Sequence, residues 1–136
     1  LIASYPFNGN SNDESGNANN GTVIGGVNLT TDRFGNSGRA YSFDGVTGNI
    51  ATNNGLSITN SVSVSAWFKF NSFPAQNTFI VTQDFPTPGP WGILVKDNYL
   101  SWYVATETPF YWSGNVTHNP VFELNKWYHV VGLRTG

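Results

Sequence analysis

Ser61-Val-Ser-Val-Ser-Ala-Trp-Phe-Lys-Phe70 alternates without a break. Val62, Val64, Ala66, Phe68 and Phe70 share one side of an extended chain, while Ser61, Ser63, Ser65, Trp67 and Lys69 share the other. Successive side chains of a β-strand point to opposite faces. A fully apolar set on one face therefore marks a half-buried strand whose register is fixed by burial. Trp67 stands out on the serine side, and the pattern leaves it as either a packed anchor or a platform for a ligand.

The same reading extends outward. Lys126–Leu133 places Trp127, His129, Val131 and Leu133 on one face and Tyr128, Val130 and Gly132 on the other. Trp91–Lys96 and Tyr99–Ala105, joined through Asp97-Asn98, predict a hairpin. Thr78–Gln83 predicts a further strand, and the prolines of Asp84–Pro90 bar that loop from a central strand. Towards the N-terminus, Ile2–Phe7 predicts a first strand and Asn8–Asn20 a long polar loop. Thr22–Ile24, a Gly25-Gly26 turn, a Thr31–Gly38 loop, Arg39–Phe43, an Asp44-Gly45 turn and Asn49–Thr52 complete that half. Thr106–Pro120 is expected to be irregular. Glycine, proline or asparagine interrupts almost every window of ten residues, and helical periodicity never persists. The expectation is an all-β, antiparallel two-sheet jelly-roll sandwich forming a single domain over residues 1–136, with no internal repeat or linker.

Composition narrows the function classes. The 136 residues are 15% aromatic and only 10% charged, so a few large rings carry the core and Asn, Thr, Ser and Gly supply the polarity. A net charge of -2 with no basic run argues against nucleic acid and anionic membrane as partners. Cysteine is absent, which removes disulfides, thiolate zinc sites and thiol nucleophiles. No apolar run reaches the length of a membrane span. Low lysine with abundant Asn, Thr and Gly points to an extracellular or cell-surface setting.

Local wording then carries a resemblance. Tyr5-Pro-Phe-Asn-Gly-Asn10, Asp13-Glu-Ser-Gly-Asn17 with Asn20-Gly-Thr22, Tyr41-Ser-Phe-Asp-Gly45, Ser63-Val-Ser-Ala-Trp-Phe68 and Lys126-Trp-Tyr-His-Val-Val131 occur in that order. Together they resemble bacterial laminin-G-like domains of the concanavalin-A-like lectin/glucanase kind. The resemblance implies further strands after the W-x-H-V segment, so the domain is expected to lack its C-terminal strands, with more chain or another protein covering an open sheet edge. It also implies a structural calcium ion, for which Asp13, Asn17 and Asn20 offer oxygens and Asp44 sits at a turn. The alternative is an Asx-rich turn whose side chains satisfy themselves.

Lectin sites stack a sugar ring on an aromatic face, and two aromatic loops suit that chemistry. One runs from Phe85 to Trp91. The other is Phe110-Tyr111-Trp112 with Asn115 close by. The alternative is that these rings cap the sandwich edges. Trp67, Trp102 and Trp127, lying within strands, are expected to pack in the core. Catalysis is not expected: the E-x-D-x-E pattern of glucanase strands is missing, and Glu107, Glu123 and His118 have no sequence-close acidic partner. The leading expectation is a glycan- or polysaccharide-binding adhesion module of a larger secreted or surface protein. A structural or protein-interaction domain of a surface fibre or secreted cargo is the alternative, followed by a glucanase-like hydrolase.

Overall fold

The computed structural model describes residues 1–52, 56, 58, 61–74, 77–83, 91–96, 99–106, 111–118 and 121–135, with the backbone alone at 96, 105, 106 and 111–118. Among them every regular element is a strand and every pairing is antiparallel. Two compact units divide the chain, Leu1–Leu56 and Ser57–Gly136.

The second unit holds the strand with which the sequence began. β5 (Val62–Lys69) pairs with β10 (Trp127–Arg134), from Trp127 opposite Lys69 to Arg134 opposite Val62. A four-stranded sheet runs β6 (Thr78–Gln83), β7 (Trp91–Lys96), β8 (Tyr99–Thr106), β9 (Tyr111–His118). Val62 of β5 forms a buried cluster with Trp91 and Val104, and Ile58, Val64, Val81 and Trp102 pack around it. The apolar side of the alternating strand thus meets the face of the larger sheet, which is sandwich packing. Gly132 of β10 lets Trp102 in: a Cβ at that position would sit 2.5 Å from Cζ3 of the indole.

Farther along β5 the packing is aromatic. Phe68 lies across from Tyr128, and both reach Phe122, with ring centroids 5.8, 5.7 and 5.0 Å apart for Phe68–Tyr128, Phe68–Phe122 and Phe122–Tyr128. Phe70 joins at 5.4 Å from Phe122. Such contacts add to simple area burial. Buried Gln83 completes this unit's interior by accepting the Trp91 indole N–H at 3.1 Å and the Ile58 N–H at 3.2 Å through one oxygen.

In the first unit, β1 (Gly21–Ile24) pairs with β4 (Asn49–Thr52) and β2 (Val27–Thr30) with β3 (Ala40–Phe43). Gly26 is required between β1 and β2, because the Asp44 carboxylate occupies the space a Cβ would need.

Three sequence expectations are corrected. Ile2–Phe7 forms no strand. Its backbone groups are claimed by the polar loop instead: Ser4 N–H donates to Asp13 Oδ1 at 2.8 Å, and the Ile2 carbonyl accepts the amide nitrogens of Asn17 and Asn19, each at 3.0 Å. Side-chain partners of this kind compete with strand pairing. β2, unanticipated, uses the short Val27-Asn-Leu-Thr30 run. The segment expected to be irregular contains β9, which pairs with β8 through a register shift opposite Trp102–Val104.

Candidate functional site

The polar side of β5 and the matching side of β10 form one open face. Ser63, Ser65, Trp67 and Lys69 stand opposite Leu133, Val131, His129 and Trp127. Trp67 is 47% exposed and stacks on His129 with centroids 4.7 Å apart and rings 23° from parallel. His129 Nε2 shares a 2.8 Å hydrogen bond with Ser65 Oγ, which fixes the imidazole orientation. One residue pair along, Lys69 Nζ lies 5.3 Å from the Trp127 ring, an ordinary cation–π separation. Cross-strand neighbours on one face stand close enough for such pairs to form directly. The result combines flat apolar rings with a hydroxyl, an imidazole and an ammonium group. The expectation that Trp67 packs in the core is not met, because the core side of β5 is already filled by Val62, Val64 and Phe68.

The two aspartates expected to hold calcium behave differently from a cation site. Asp13 Oδ1 accepts Ser4 N–H and Ser15 N–H at 2.8 and 2.9 Å, and Oδ2 accepts the Ser15 hydroxyl and Asn19 N–H at 2.9 and 3.0 Å. Asp44 Oδ1 accepts the N–H groups of Val46, Thr47 and Gly48, and Oδ2 accepts the Thr47 hydroxyl at 2.7 Å. An ionised carboxylate offers about four lone-pair sites, so both are saturated by donors of their own loops. Asn17 spends its amide nitrogen on the Leu1 and Ile2 carbonyls, and Asn20 Oδ1 accepts the Asp13 N–H. Among the described residues no three His, Asp or Glu side chains gather into a metal-binding group. In this arrangement Asp13, Asn17, Asn20 and Asp44 pin turns.

That pinning has a pH signature. Desolvation pushes the Asp13 carboxyl up, but the hydrogen bonds from Ser15, Ser4 and Asn19 together pull harder and lower it from 3.8 to about 2. A carboxyl depressed in the folded state stabilises the fold above its unfolded pKa and loses that contribution as pH falls through the folded value. Acid unfolding is therefore expected to steepen between pH 3.8 and about 2. Asp13→Asn is expected to flatten that limb, with the two proteins' urea midpoints converging near the bottom of the window. Parallel curves with a constant gap would show that the carboxylate's charge is irrelevant.

A family model describing the concanavalin A-like lectin/glucanases superfamily matches residues 43–136. The chain belongs to that superfamily. The match includes β4 and every strand of the second unit, so the open β5–β10 face lies on superfamily sequence. The opening Tyr5–Thr22 motifs precede it. No curated protein and no solved structure matches the chain.

Of the residues expected to bind sugar in this superfamily domain, Trp91 alone has a described side chain. Trp91 is 3% exposed, with its indole N–H bonded to Gln83, and belongs to the core. Phe110 lies outside the described residues. Tyr111, Trp112 and Asn115 belong to the backbone of β9, and their side chains lie outside the described residues. Sequence reasoning left Trp67 between a packed anchor and a ligand platform and then favoured packing, and it placed His129 only as one residue of a strand face. The signal that could have found them is the one exception in each alternation: a tryptophan in a serine column, and a histidine between two large apolar residues of the facing column.

Proposed function

We propose that this is a non-catalytic carbohydrate-binding domain of a secreted or cell-surface protein, and that sugar rings seat on the β5–β10 face around Trp67 and His129. The observation that carries the reading is the half-exposed Trp67 ring, held against an imidazole that Ser65 orients. A pyranose presents apolar C–H groups on its faces and hydroxyls at its rim. An exposed indole offers the complementary surface for the first. Ser63, Ser65, His129 and Lys69 offer donors and acceptors for the second. Glycoside hydrolysis needs two carboxyl groups flanking the bond, and the eight residues of this face include none. Superfamily membership supports a lectin-like role, and the composition supports an extracellular one.

A glycan array with wild type and Trp67→Ala tests this. Selective retention by wild type is expected, falling about tenfold or more in the variant. Melting temperature should barely change, as is usual for exposed substitutions. Because Asp13 and Asp44 are saturated, chelator should leave retention intact. Equal retention by both proteins would remove the face from the site.

A second reading has its own support. Val131 and Leu133, on the same face, are 52% and 67% exposed. They extend an apolar strip of the kind that protein partners cover. A blank array with both proteins would move the conclusion to that interaction role.

A further inference from the structure

The β5–β10 face carries a titratable group at its centre. His129 stands directly opposite Trp67 in the register, with the two rings 4.7 Å apart and 23° from parallel. Its Nε2 lies 2.8 Å from Ser65 Oγ, one place along the same column of β5. The imidazole therefore touches the aromatic platform and a hydroxyl at once, and it is exposed, so solvent protons reach it. Few charges surround it. From β5 the face presents Lys69, whose Nζ lies over the Trp127 ring. From β10 it presents none, because Arg134 alternates to the other side of the strand. Glu123 and Lys126, just before β10, pair with each other at 2.6 Å, and Lys126 lies over Tyr128 on that other side. The eight residues of the face include no carboxylate.

Imidazoles as a class change charge between about pH 5 and 8, and a proton here alters both contacts. In the neutral ring Nε2 either accepts from the Ser65 hydroxyl or donates to it, according to the tautomer. The imidazolium carries a hydrogen on each nitrogen. Nε2 must then donate to Ser65 Oγ, and the hydroxyl hydrogen turns away from the ring towards whatever occupies the face. At the other contact, a cation over an indole is attracted by the negative face of the ring, which holds Trp67 more firmly. The imidazolium N–H groups are also charge-assisted donors, about twice as strong as neutral ones. Sugar hydroxyls accept from donors of both kinds.

We propose that His129 is a proton switch on this face: acidification charges the imidazole, turns the Ser65 hydroxyl outward and tightens the hold on neutral saccharides. The gain in binding rests on the carbohydrate reading above. The charging of the Trp67 stack does not, and the test reads the two separately.

Tryptophan fluorescence without ligand comes first, because a stacked imidazolium quenches indole emission. From about pH 8 down to about pH 5, emission should fall in one step in wild type. The step should survive His118→Gln, at the chain's other histidine, and vanish in His129→Gln and in Trp67→Phe. A flat wild-type curve, or a step that persists in His129→Gln, would overturn the switch. An array of neutral glycans read at about pH 5.5 and about pH 7.5 then tests the gain. Both settings lie above the acid limb set by Asp13, so the fold is intact at each. Wild-type retention should be about fivefold or more stronger at the acid setting. That ratio should disappear in His129→Gln, whatever the variant's affinity, and shrink in Ser65→Ala. Equal wild-type retention at both settings, or a ratio unchanged in His129→Gln, would overturn the gating. A quench with no glycan retained at either setting would sink the carbohydrate reading and leave the charged stack standing.

Discussion

Trp91→Ala costs about 3–5 kcal/mol, the usual range for emptying a buried tryptophan site. The indole is 3% exposed and packs against Val62 and Val104, with Trp102 at 5.9 Å. Alanine removes those contacts and leaves a cavity between two sheets that cannot both collapse into it. It also takes one donor from the buried oxygen of Gln83. Against a total stability of about 5–15 kcal/mol, such a loss moves the urea midpoint far down. Trp91→Phe keeps most of the volume and forfeits the N–H bond, so it should lose only about 1 kcal/mol beyond its repacking cost. Trp67→Ala in the same experiment should scarcely shift the midpoint. Equal destabilisation by Trp91→Ala and Trp67→Ala would contradict the division between a core tryptophan and a surface one.

Gly132→Ala comes next in size. Its new methyl group would lie 2.5 Å from a carbon of the Trp102 ring, closer than any real contact. The indole is partly buried and packs against the Val62–Trp91–Val104 cluster, so either the ring or β10 must shift. Overpacking of this kind costs about 1–3 kcal/mol. Combining it with Trp102→Leu should recover part of the loss, a non-additivity expected only of residues in contact. A strictly additive double variant would show that the two do not meet.

How far the sequence reaches is visible in particular elements. β4, β6 and β7 match their expected bounds, set by the turn residues that flank them, and β5 and β10 match within a residue, because the alternation of these two long strands reflects one buried side. The four-residue β2 is too short for periodicity to separate from its flanking turns. Ile2–Phe7 has the composition of a strand, yet its hydrogen-bonding groups go to Asp13, Asn17 and Asn19, a choice made by tertiary placement that no local pattern records. The site was less legible for the same reason. Trp91 sits beside a proline-rich loop and reads as exposed, while Trp67 sits mid-strand and reads as buried. Each assignment depends on which side of its strand another sheet covers, and only the packing supplies that. The turn chemistry of Asp44 and Gly45 was readable because it is local.

The β5–β10 pair also bears on how the protein is made. Ser65 and His129, joined by a hydrogen bond, are 64 residues apart in the chain. At synthesis rates of about 5–20 residues per second, roughly 3–13 s separate their emergence from the ribosome. Among the described residues β5 pairs with no other strand. For that interval its backbone edge and Trp67 await their partner, with the low charge and high β-propensity of a sticky segment. Lys69 is the only charge in the strand to discourage a wrong encounter. Yield in a heterologous host should thus be governed by whatever shields nascent Val62–Lys69 until Trp127–Arg134 arrives.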